Sequence, residues 1–483
     1  MTEFMYRFRP VKKLLGEANI EGELEGRYIY FASPEQLNDP LEGYKDVYFH
    51  GDNIIWGNLI KHYLRCLINS SLDFVHAEKD ETPVKTANVF ITAASASDAL
   101  NKLNFDIYQK LVSEPSISEF ISNLATDRKT RRAELLSYIQ ILHFHFLDIT
   151  LEVFHEYGIL TTPFYSKSDR SETLANIKNA SEAIIADKYL TKEQEIGLQQ
   201  SQQRISERQL LTRYKEDGKG QKYWFFLLFE YPEVFCRDIE NLMYPRWYTA
   251  CFMASCSDSS IWGSYGGQHK DVCLKFRTEK SGDQAALTVD APNGEDRNGI
   301  TWGPVRLAFH EVSYEKSFVD IDFFRSLGHL PYSTLMGTWF KDENGKISKC
   351  AEDMFKDEVK WRASYWNNFY HSATVKLSAW DREKESRLIQ TSMMRSIESS
   401  ELRKLRYNFD SLEGIIFGIN TAMEHKLEII KTIASLCTNL KRKEFSFYQA
   451  RYDESSREIK YDKLESIQVG YVDSSTEKLS PKE

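Results

Sequence analysis

The sequence predicts an α+β protein in which a mixed or antiparallel sheet domain is interrupted by a helical insertion domain. Short aromatic and β-branched runs with strand periodicity occur in residues 1–50 and return after residue 230. Between them, residues 51–229 carry apolar positions at three- and four-residue spacing, which is typical of helices. We therefore expect one discontinuous domain of the catalytic type, 1–50 plus 230–470, and a helical domain over 51–229. Residues 473–483 are predicted to be a flexible tail.

The first strands are read from alternation. Residues 4–9, FMYRFR, place an aromatic ring at every second position and arginines at Arg7 and Arg9, which predicts a half-buried strand ended by Pro10. The run RYIYFA at 27–32 predicts a second strand that includes Tyr30 and stops at Ser33, before a proline and a polar turn.

The insertion contains two long predicted helices. Residues 130–157 have an apolar stripe along one face. Residues 191–215 are mostly polar, with a thin apolar stripe formed by Ile196, Ile205, Leu210 and Leu211. A helix of this second kind usually lies at a surface or in an interface, so we expect that the insertion can bind a protein partner.

After residue 230 the strand signals return. Strands are predicted at 273–276, 305–309, 312–314, 387–390 and 414–419, a helix at 420–440, and a hairpin from 445–452 and 457–461. Trp262, Tyr265 and His269 have i, i+3, i+7 spacing, which predicts one helical face. Glu383, Glu385 and Arg387 alternate, which predicts one face of a strand.

The composition excludes several classes of protein. Of 483 residues, 42% are hydrophobic, and there are only 23 Gly and 12 Pro, so disordered and collagen-like chains are excluded. The 62 Lys and Arg against 71 Asp and Glu give a net charge of −9, which argues against coating nucleic acid or membrane through bulk charge. The 7 cysteines contain no Cys-x-x-Cys pair, and no apolar run reaches the length of a membrane span. We expect a cytoplasmic protein with reduced thiols and no membrane partner.

Three separated islands carry a resemblance. They are YFASPEQLNDPLEGY at 30–44, CFMASCSDSSIWGSYGGQHKDVCLKF at 251–276 and AWDREKESRLI at 379–389. Together they resemble a bacterial family catalogued only as a domain of unknown function. The chain departs from the family pattern at Asp271, where glycine is expected, at Ser386, where an aromatic residue is usual, and in the long insertion.

The order of the strands is also similar to that of ADP-ribosyltransferases, including DNA-modifying bacterial toxins. In that family a first-strand arginine holds NAD, a second-strand tyrosine or serine shapes the nicotinamide pocket, and a late glutamate stabilises the cationic ribose. The resemblance implies NAD as co-substrate and no metal. It implies that Glu385 or Glu383 is the catalytic carboxylate, that Arg7 or Arg9 holds phosphate, and that Tyr30 or Trp262 stacks on nicotinamide beside Ser33. From their own chemistry and positions, we add His269 to the catalytic group and Asn38, Asp39 and Tyr265 to the cofactor-binding group.

Each of these residues also has a purely structural interpretation. An Asn-Asp-Pro turn is more often a capping device than a ligand site, and this applies to Asn38 and Asp39. Trp262 and Tyr265 at helical spacing most often pack against a sheet. If the strand face with Glu383 and Glu385 points outward, it is a solvated row of charges. The sequence also leaves open which of the two early arginines faces the site.

Three functions follow as hypotheses. The first is a bacterial effector, in phage defence or as a toxin, that transfers ADP-ribose from NAD to a nucleic acid or protein; this role comes from the resemblance. The second is a nuclease that holds a divalent metal with Asp39, Glu42, Glu383 and Glu385. The third is a non-enzymatic sensor or adaptor that binds a partner through the insertion. The sequence contains no Walker A, His-Glu-x-x-His, Gly-x-Ser-x-Gly or dinucleotide-binding motif.

Overall fold

The computed structural model of the chain describes residues 3–17, 20–76, 85–161, 170–186, 192–216, 222–315, 317–392 and 399–471. The fold is mixed α/β, with 48% helix and 24% strand, so neither class of element dominates the chain alone. The chain divides into two compact units. The sheet unit comprises Met1–Tyr44, Arg246–Ser317 and His371–Glu483, and the helical unit comprises Lys45–Pro245 and Phe318–Tyr370.

The strands are, in chain order, β1 (Phe4–Arg9), β2 (Gly16–Glu17), β3 (Ile20–Glu21), β4 (Tyr28–Tyr30), β5 (Asp46–Phe49), β6 (Thr130–Arg131), β7 (Arg246–Met253), β8 (Val272–Arg277), β9 (Glu279–Ser281), β10 (Gln284–Asp296), β11 (Gly299–Glu311), β12 (Asp320–Asp322), β13 (Glu385–Ser392), β14 (Lys404–Tyr407), β15 (Leu412–Phe417), β16 (Ser446–Asp453) and β17 (Glu458–Lys463).

The helices are α1 (Val11–Leu15), α2 (Asn53–His76), α3 (Asp98–Val112), α4 (Pro115–Asn123), α5 (Arg132–Glu156), α6 (Arg170–Ala186), α7 (Lys192–Glu216), α8 (Lys222–Phe225), α9 (Tyr231–Asp238), α10 (Ser259–Ser264), α11 (Tyr332–Thr334), α12 (Lys349–Phe355), α13 (Glu358–Ala373) and α14 (Met423–Leu440). Two short 3-10 helices, Pro34–Gln36 and Ser378–Glu383, lie beside the candidate site described below.

A large curled sheet forms the sheet unit. Its strand order is β17-β16-β15-β8-β1-β7-β13-β11-β10-β14-β4, and β9 pairs with β10 to give 12 strands. Only β15 and β16 pair in parallel; the other described pairs are antiparallel. Ala32, just after β4, forms a bridge with Thr249 of β7, and the two residues exchange hydrogen bonds of 2.8 Å. This bridge closes a ring that runs through β7, β13, β11, β10, β14 and β4.

The two faces of this sheet have separate apolar clusters. On one face, residues such as Phe252, Leu287 and Leu388 pack with Leu14 of α1 and Ile433 of α14. The opposite face carries a smaller cluster around the buried Trp262 of α10, formed by Phe8, Met253, Cys256, Ile261, Cys273, Ile416, Ala450 and Ile459. Strands β1, β7, β8, β15 and β16 therefore contribute side chains to both clusters, as the alternation of a pleated strand allows.

The helical unit combines its helices with a three-stranded sheet of order β12-β5-β6. Its core is aromatic: Tyr63 of α2 lies edge-on to Phe235 of α9, with ring centroids 4.8 Å apart, and also packs against Phe146 of α5. None of the described helices is long and apolar enough to cross a membrane.

Several sequence predictions are confirmed and others are wrong. The predicted strands at 273–276, 387–390 and 414–419 and the helices at 130–157, 191–215 and 420–440 are present with small shifts of boundary. The predicted strand at 312–314 is absent, because β11 ends at Glu311 and only Ser313 forms an isolated bridge, with Val375. Residues 318–370, which we expected in the sheet domain, group with the helical unit instead, as do 45–50 and 230–245. The predicted tail lies outside the described residues.

On α7 the predicted apolar stripe is exposed within the chain. Ile196 is 52% exposed, Leu210 69% and Leu211 57%. Three of the four side chains of the predicted stripe are therefore exposed, whereas Ile205 is half-buried, and a partner for this helix remains a prediction.

Candidate functional site

A group of buried charges in the sheet unit contains three carboxylates around one lysine. The Nζ of Lys376 lies 2.7 Å from Oε2 of Glu383, 3.2 Å from Oε2 of Glu385 and 3.3 Å from Oε1 of Glu42. The Lys376 side chain is only 2% exposed. Its ammonium also lies 4.8 Å from the centre of the Trp380 ring. Lys376 thus joins the first and third sequence islands.

Arg387 neutralises the deeper two carboxylates. Its Nε lies 2.7 Å from Oε1 of Glu385, and its Nη2 lies 2.6 Å from Oε2 of Glu42. The remaining nitrogen, Nη1, donates a 2.7 Å hydrogen bond to the carbonyl of Ala373 at the end of α13. Arg387 is completely buried, so its guanidinium depends on these partners for the hydrogen bonds it loses with water.

The electrostatics of the group favour the ionised forms of Glu385 and Lys376 but not that of Glu42. Burial opposes the charge on Glu385, but the neighbouring charges of Arg387 and then Lys376 lower the pKa of its carboxyl to about 2. Burial likewise opposes the charge on Lys376, and the carboxylate of Glu385 raises the pKa of Lys376. The pKa of Glu42 is raised, because its burial outweighs the attraction of Arg387 and Lys376. Glu385 is therefore a fixed anion held between two cations.

Glu383 has a different environment from Glu385. Tyr265 donates a short hydrogen bond to its Oε1, and the amide of Asn38 donates a 2.5 Å hydrogen bond to the Tyr265 hydroxyl. Burial and the Glu383 carboxylate raise the pKa of Tyr265, so the hydroxyl stays protonated and remains a donor. The chain Asn38–Tyr265–Glu383–Lys376 fixes the orientation of this carboxylate from both sides.

Glu383 also lines an open cleft of about 500 Å³, whose other lining residues are Ser255, Ser257, Asp258, Ser259, Ser260, Asp381, Arg382, Lys384, Arg457 and Glu458. The lining is polar and contains three cationic side chains and four serines. Asp258 caps α10, because its Oδ1 accepts hydrogen bonds from the backbone N–H of Ser260 and Ile261. A cleft of this size falls within the range of small-molecule sites.

A backbone turn separates the two glutamates. Lys384 adopts a left-handed conformation, φ 43° and ψ 49°, between the 3-10 helix that ends at Glu383 and the strand that begins at Glu385. The expected strand face shared by all three charges is therefore wrong for Glu383, although Glu385 and Arg387 do share a face. The alternative of a solvated row of charges is also wrong, since Glu383 and Glu385 are each 4% exposed.

The early arginines lie on the other face of the sheet. Tyr6 of β1 and Glu385 of β13 both pair with Met253 of β7, so these three side chains share one face. Arg7 follows Tyr6 and faces the opposite side, where its guanidinium lies 5.4 Å from the Phe252 ring centre and donates to the Tyr30 carbonyl at 3.2 Å. Burial, with the neighbouring charge of Arg9 adding to it, lowers the pKa of Arg7 to about 10.

Arg9 is on the same face as Arg7 and forms a bidentate ion pair with Glu23, in which Nε lies 2.6 Å from Oε2. Tyr30 and Ser33 contribute to a nearby turn: the Tyr30 hydroxyl and the Ser33 N–H both donate to Gln36 Oε1, at 3.2 and 3.1 Å. The structure therefore does not bring Arg7, Arg9, Tyr30 or Ser33 to Glu385. The roles that we expected for these four residues in binding NAD remain predictions, and the structure does not place them in one pocket with Glu385.

Asp39, Trp262 and His269 have clear structural contacts. Asp39 Oδ1 accepts a 2.9 Å hydrogen bond from the N–H of Leu41, the turn device that its sequence context favours. The Trp262 indole N–H donates to the Cys256 carbonyl at 2.7 Å, and Trp262 is fully buried. Its ring is parallel to that of His269, with centroids 6.3 Å apart, and the Nδ1 of His269 is buried without a hydrogen-bond partner among the described residues.

The expectation that Trp262, Tyr265 and His269 share one helical face is wrong. Helix α10 ends at Ser264, and Gly267 and His269 both have positive φ, 55° and 66°. The glycine pair at 266–267 allows this left-handed turn, which ends the helix before His269. Of the predicted site residues, the structure brings together Asn38, Tyr265, Glu383 and Glu385.

Lys376 was missed by the sequence reasoning. It occurs in an ordinary TVKLSAW segment, seven positions before Glu383, and no spacing rule indicates that a turn will fold it back. Arg387 and Glu42 were noted in the islands, although neither was assigned to an NAD site. The weak signal was the placement of three glutamates, Glu42, Glu383 and Glu385, in two polar islands.

Comparisons of the chain with protein-family models, with curated proteins and with solved structures give no match. The resemblance to the bacterial family and to ADP-ribosyltransferases therefore remains a prediction, and the site is interpreted from its own geometry.

Proposed function

We propose that the cleft at Glu383 is the active site of an enzyme that cleaves the nicotinamide–ribose bond of NAD and transfers ADP-ribose to an acceptor. The observation that carries this proposal is the Glu383 carboxylate itself. It lines the cleft while Tyr265 and Lys376 fix its position. A preorganised carboxylate is what the developing oxocarbenium charge of the ribose requires.

Glu383 suits this role better than Glu385. Both oxygens of Glu385 are engaged by Arg387, and Lys376 adds a third contact, so its charge is already compensated. Glu383 has one tyrosine and one lysine contact and adjoins open space. Glu385 and Arg387 would then act as positioning residues that hold Lys376 and, through it, Glu383.

The rest of the cleft supports a dinucleotide as ligand. Arg382, Lys384 and Arg457 offer charge for a pyrophosphate, and an arginine can bind phosphate oxygens bidentately. Serine hydroxyls and the carboxylates of Asp381 and Glu458 offer partners for ribose hydroxyls. In the reaction, the carbon–nitrogen bond breaks, its electron pair leaves with nicotinamide, and the acceptor attacks the ribose carbon and loses a proton.

The nuclease hypothesis receives less support from the same group. Glu42, Glu383 and Glu385 do converge, but the Lys376 ammonium lies within 3.3 Å of all three. A divalent cation bound by these carboxylates would have to displace that ammonium or accept its repulsion.

The test is release of nicotinamide from NAD by the purified full chain, with transfer of label from the ADP-ribose part. Glu383→Gln keeps the size of the side chain and one acceptor oxygen but removes the charge, and we expect it to lower kcat by about 10²–10³-fold. Glu428→Gln on the exposed face of α14 is the matched control and should leave turnover unchanged. Mg²⁺-dependent cleavage of nucleic acid without nicotinamide release would contradict the proposal and favour the nuclease.

The wider role as a bacterial effector, in phage defence or as a toxin, rests on the resemblance alone. It predicts that induced expression arrests growth of a bacterial host and that Glu383→Gln restores growth. Arrest by both forms to the same degree would contradict an enzymatic effector.

A further inference from the structure

A lysine enclosed by aromatic rings lies at another part of the sheet unit. The Nζ of Lys275 on β8 is 4.0 Å from the centre of the Phe4 ring, 5.0 Å from that of Tyr448 and 5.5 Å from that of Tyr461. The hydroxyls of Tyr6 and Tyr461 are 2.9 Å apart and hydrogen-bonded. We refer to Lys275 with these four rings as the aromatic box.

Strand pairing explains why the box forms. Lys275 of β8 pairs with Tyr6 of β1 on one side and with Gly414 of β15 on the other, so their positions line up across three strands. Gly414 leaves room for a ring, because a Cβ there would lie 2.7 Å from Cε2 of Tyr448. The Tyr448 ring consequently lies across the sheet beside the lysine.

The lysine ammonium in this box has no direct anionic partner among the described residues. Lys275 is 8% exposed, and no described residue forms a hydrogen bond or an ion pair with its ammonium. The other cations on this face are different: Arg277 pairs with Glu413 and Lys463 pairs with Glu444. Burial lowers the pKa of Lys275, and the charge of Glu413 opposes this shift only in part. Aromatic rings replace only part of the hydration energy that an ammonium loses on burial. An anionic ligand that contacts the Nζ of Lys275 would therefore gain a favourable charge interaction.

We propose that the aromatic box binds a nucleoside phosphate, with Lys275 contacting the phosphate and the neighbouring tyrosine rings stacking on bases. Aromatic side chains on a strand face are suited to stacking on unpaired bases. Every base can stack in this way, because each has a π-face. Tyr452, two alternations beyond Tyr448 on β16 and 51% exposed, extends the row of rings along the strand. This inference rests on the proposed function and adds to it: the acceptor of the ADP-ribose is single-stranded nucleic acid.

The test uses the full chain and a fluorescein-labelled single-stranded oligonucleotide, followed by anisotropy at low salt. Lys275→Gln keeps the length of the side chain and removes its charge, and we expect binding to weaken about tenfold and the slope of log K against log salt to fall by about 0.7. Tyr452→Ala, at an exposed position where folding is not at stake, should weaken binding about five- to hundredfold. Lys431→Gln on the exposed face of α14 removes the same charge elsewhere and should change binding less than twofold.

The outcomes separate the two proposals. Binding by the wild type that Lys275→Gln and Tyr452→Ala weaken supports the box, and displacement by an unlabelled mononucleotide at comparable concentration identifies the free nucleotide as its occupant. Equal weakening by Lys431→Gln, or no binding of oligonucleotide or mononucleotide, overturns it. Nicotinamide release without added nucleic acid should be unchanged in Lys431→Gln. If the wild type releases no nicotinamide, the proposed active site alone is refuted. If the wild type releases nicotinamide but binds no nucleotide, the aromatic box alone is refuted.

Discussion

Replacing Arg387 by methionine should destabilise the sheet unit by several kcal/mol. The substitution keeps the apolar volume of the side chain but removes its contacts with Glu385, Glu42 and the Ala373 carbonyl. Glu42 and Glu385 would then share Lys376 as their only cation among the described residues. Breaking a buried pair in this way costs about 3–5 kcal/mol.

The pKa of Glu385 gives an independent magnitude. Burial opposes the charge on Glu385, but the charge of Arg387 outweighs it and lowers the pKa of the Glu385 carboxyl from 4.5 to about 2. At about 1.4 kcal/mol for each tenfold change in proton affinity, this corresponds to about 3 kcal/mol of folding free energy. Because the folded pKa lies below the unfolded one, this stability is present above about pH 4.5 and is lost as the pH falls toward 2.

The assay is urea-induced unfolding followed by tryptophan fluorescence at pH 7 and at pH 4. We expect Arg387→Met to lower the free energy of unfolding by about 3–5 kcal/mol at pH 7 and by less at pH 4, where the orphaned carboxylates can take up protons. Arg451→Met is the control, because its pair with Asp462 is exposed at the surface and is screened by solvent, so its loss should change stability little. If both variants lose the same free energy at pH 7, the buried group does not stabilise the fold as argued.

Two further predictions concern the residues on either side of Glu383. Tyr265→Phe removes a hydrogen bond to a carboxylate, so kcat for nicotinamide release should fall about ten- to hundredfold with the KM for NAD unchanged; a change in KM alone would contradict a role of the hydroxyl in holding Glu383. Lys384→Gly relieves a left-handed conformation, φ 43°, and should leave stability the same or raise it by up to about 1 kcal/mol in thermal unfolding, whereas Lys384→Val should lower it.

The sequence was informative where local rules apply and silent where pairing over long distances decides. Alternation and helical spacing predicted most strands and helices, and three residues of the polar islands, Asn38, Tyr265 and Glu383, lie together in the structure. The sheet face on which Arg7 lies depends on how β1 pairs with β7 and β8. The residues next to Arg7 in the sequence do not determine that pairing. Lys376 reaches the glutamates only because the chain turns back after it. No local sequence rule predicts that turn, so the contact is visible only in the structure.

The box and the ring have a consequence for how the chain folds during synthesis. The Tyr6 and Tyr461 hydroxyls are 455 positions apart in the chain, and Ala32 must find Thr249 to close the ring of strands. The first strand leaves the ribosome long before its partners, and contacts of such large sequence separation form slowly. Until β7 and β8 are made, about 240 residues after β1, both edges of β1 are exposed, so this strand is where we expect chaperones to be needed most.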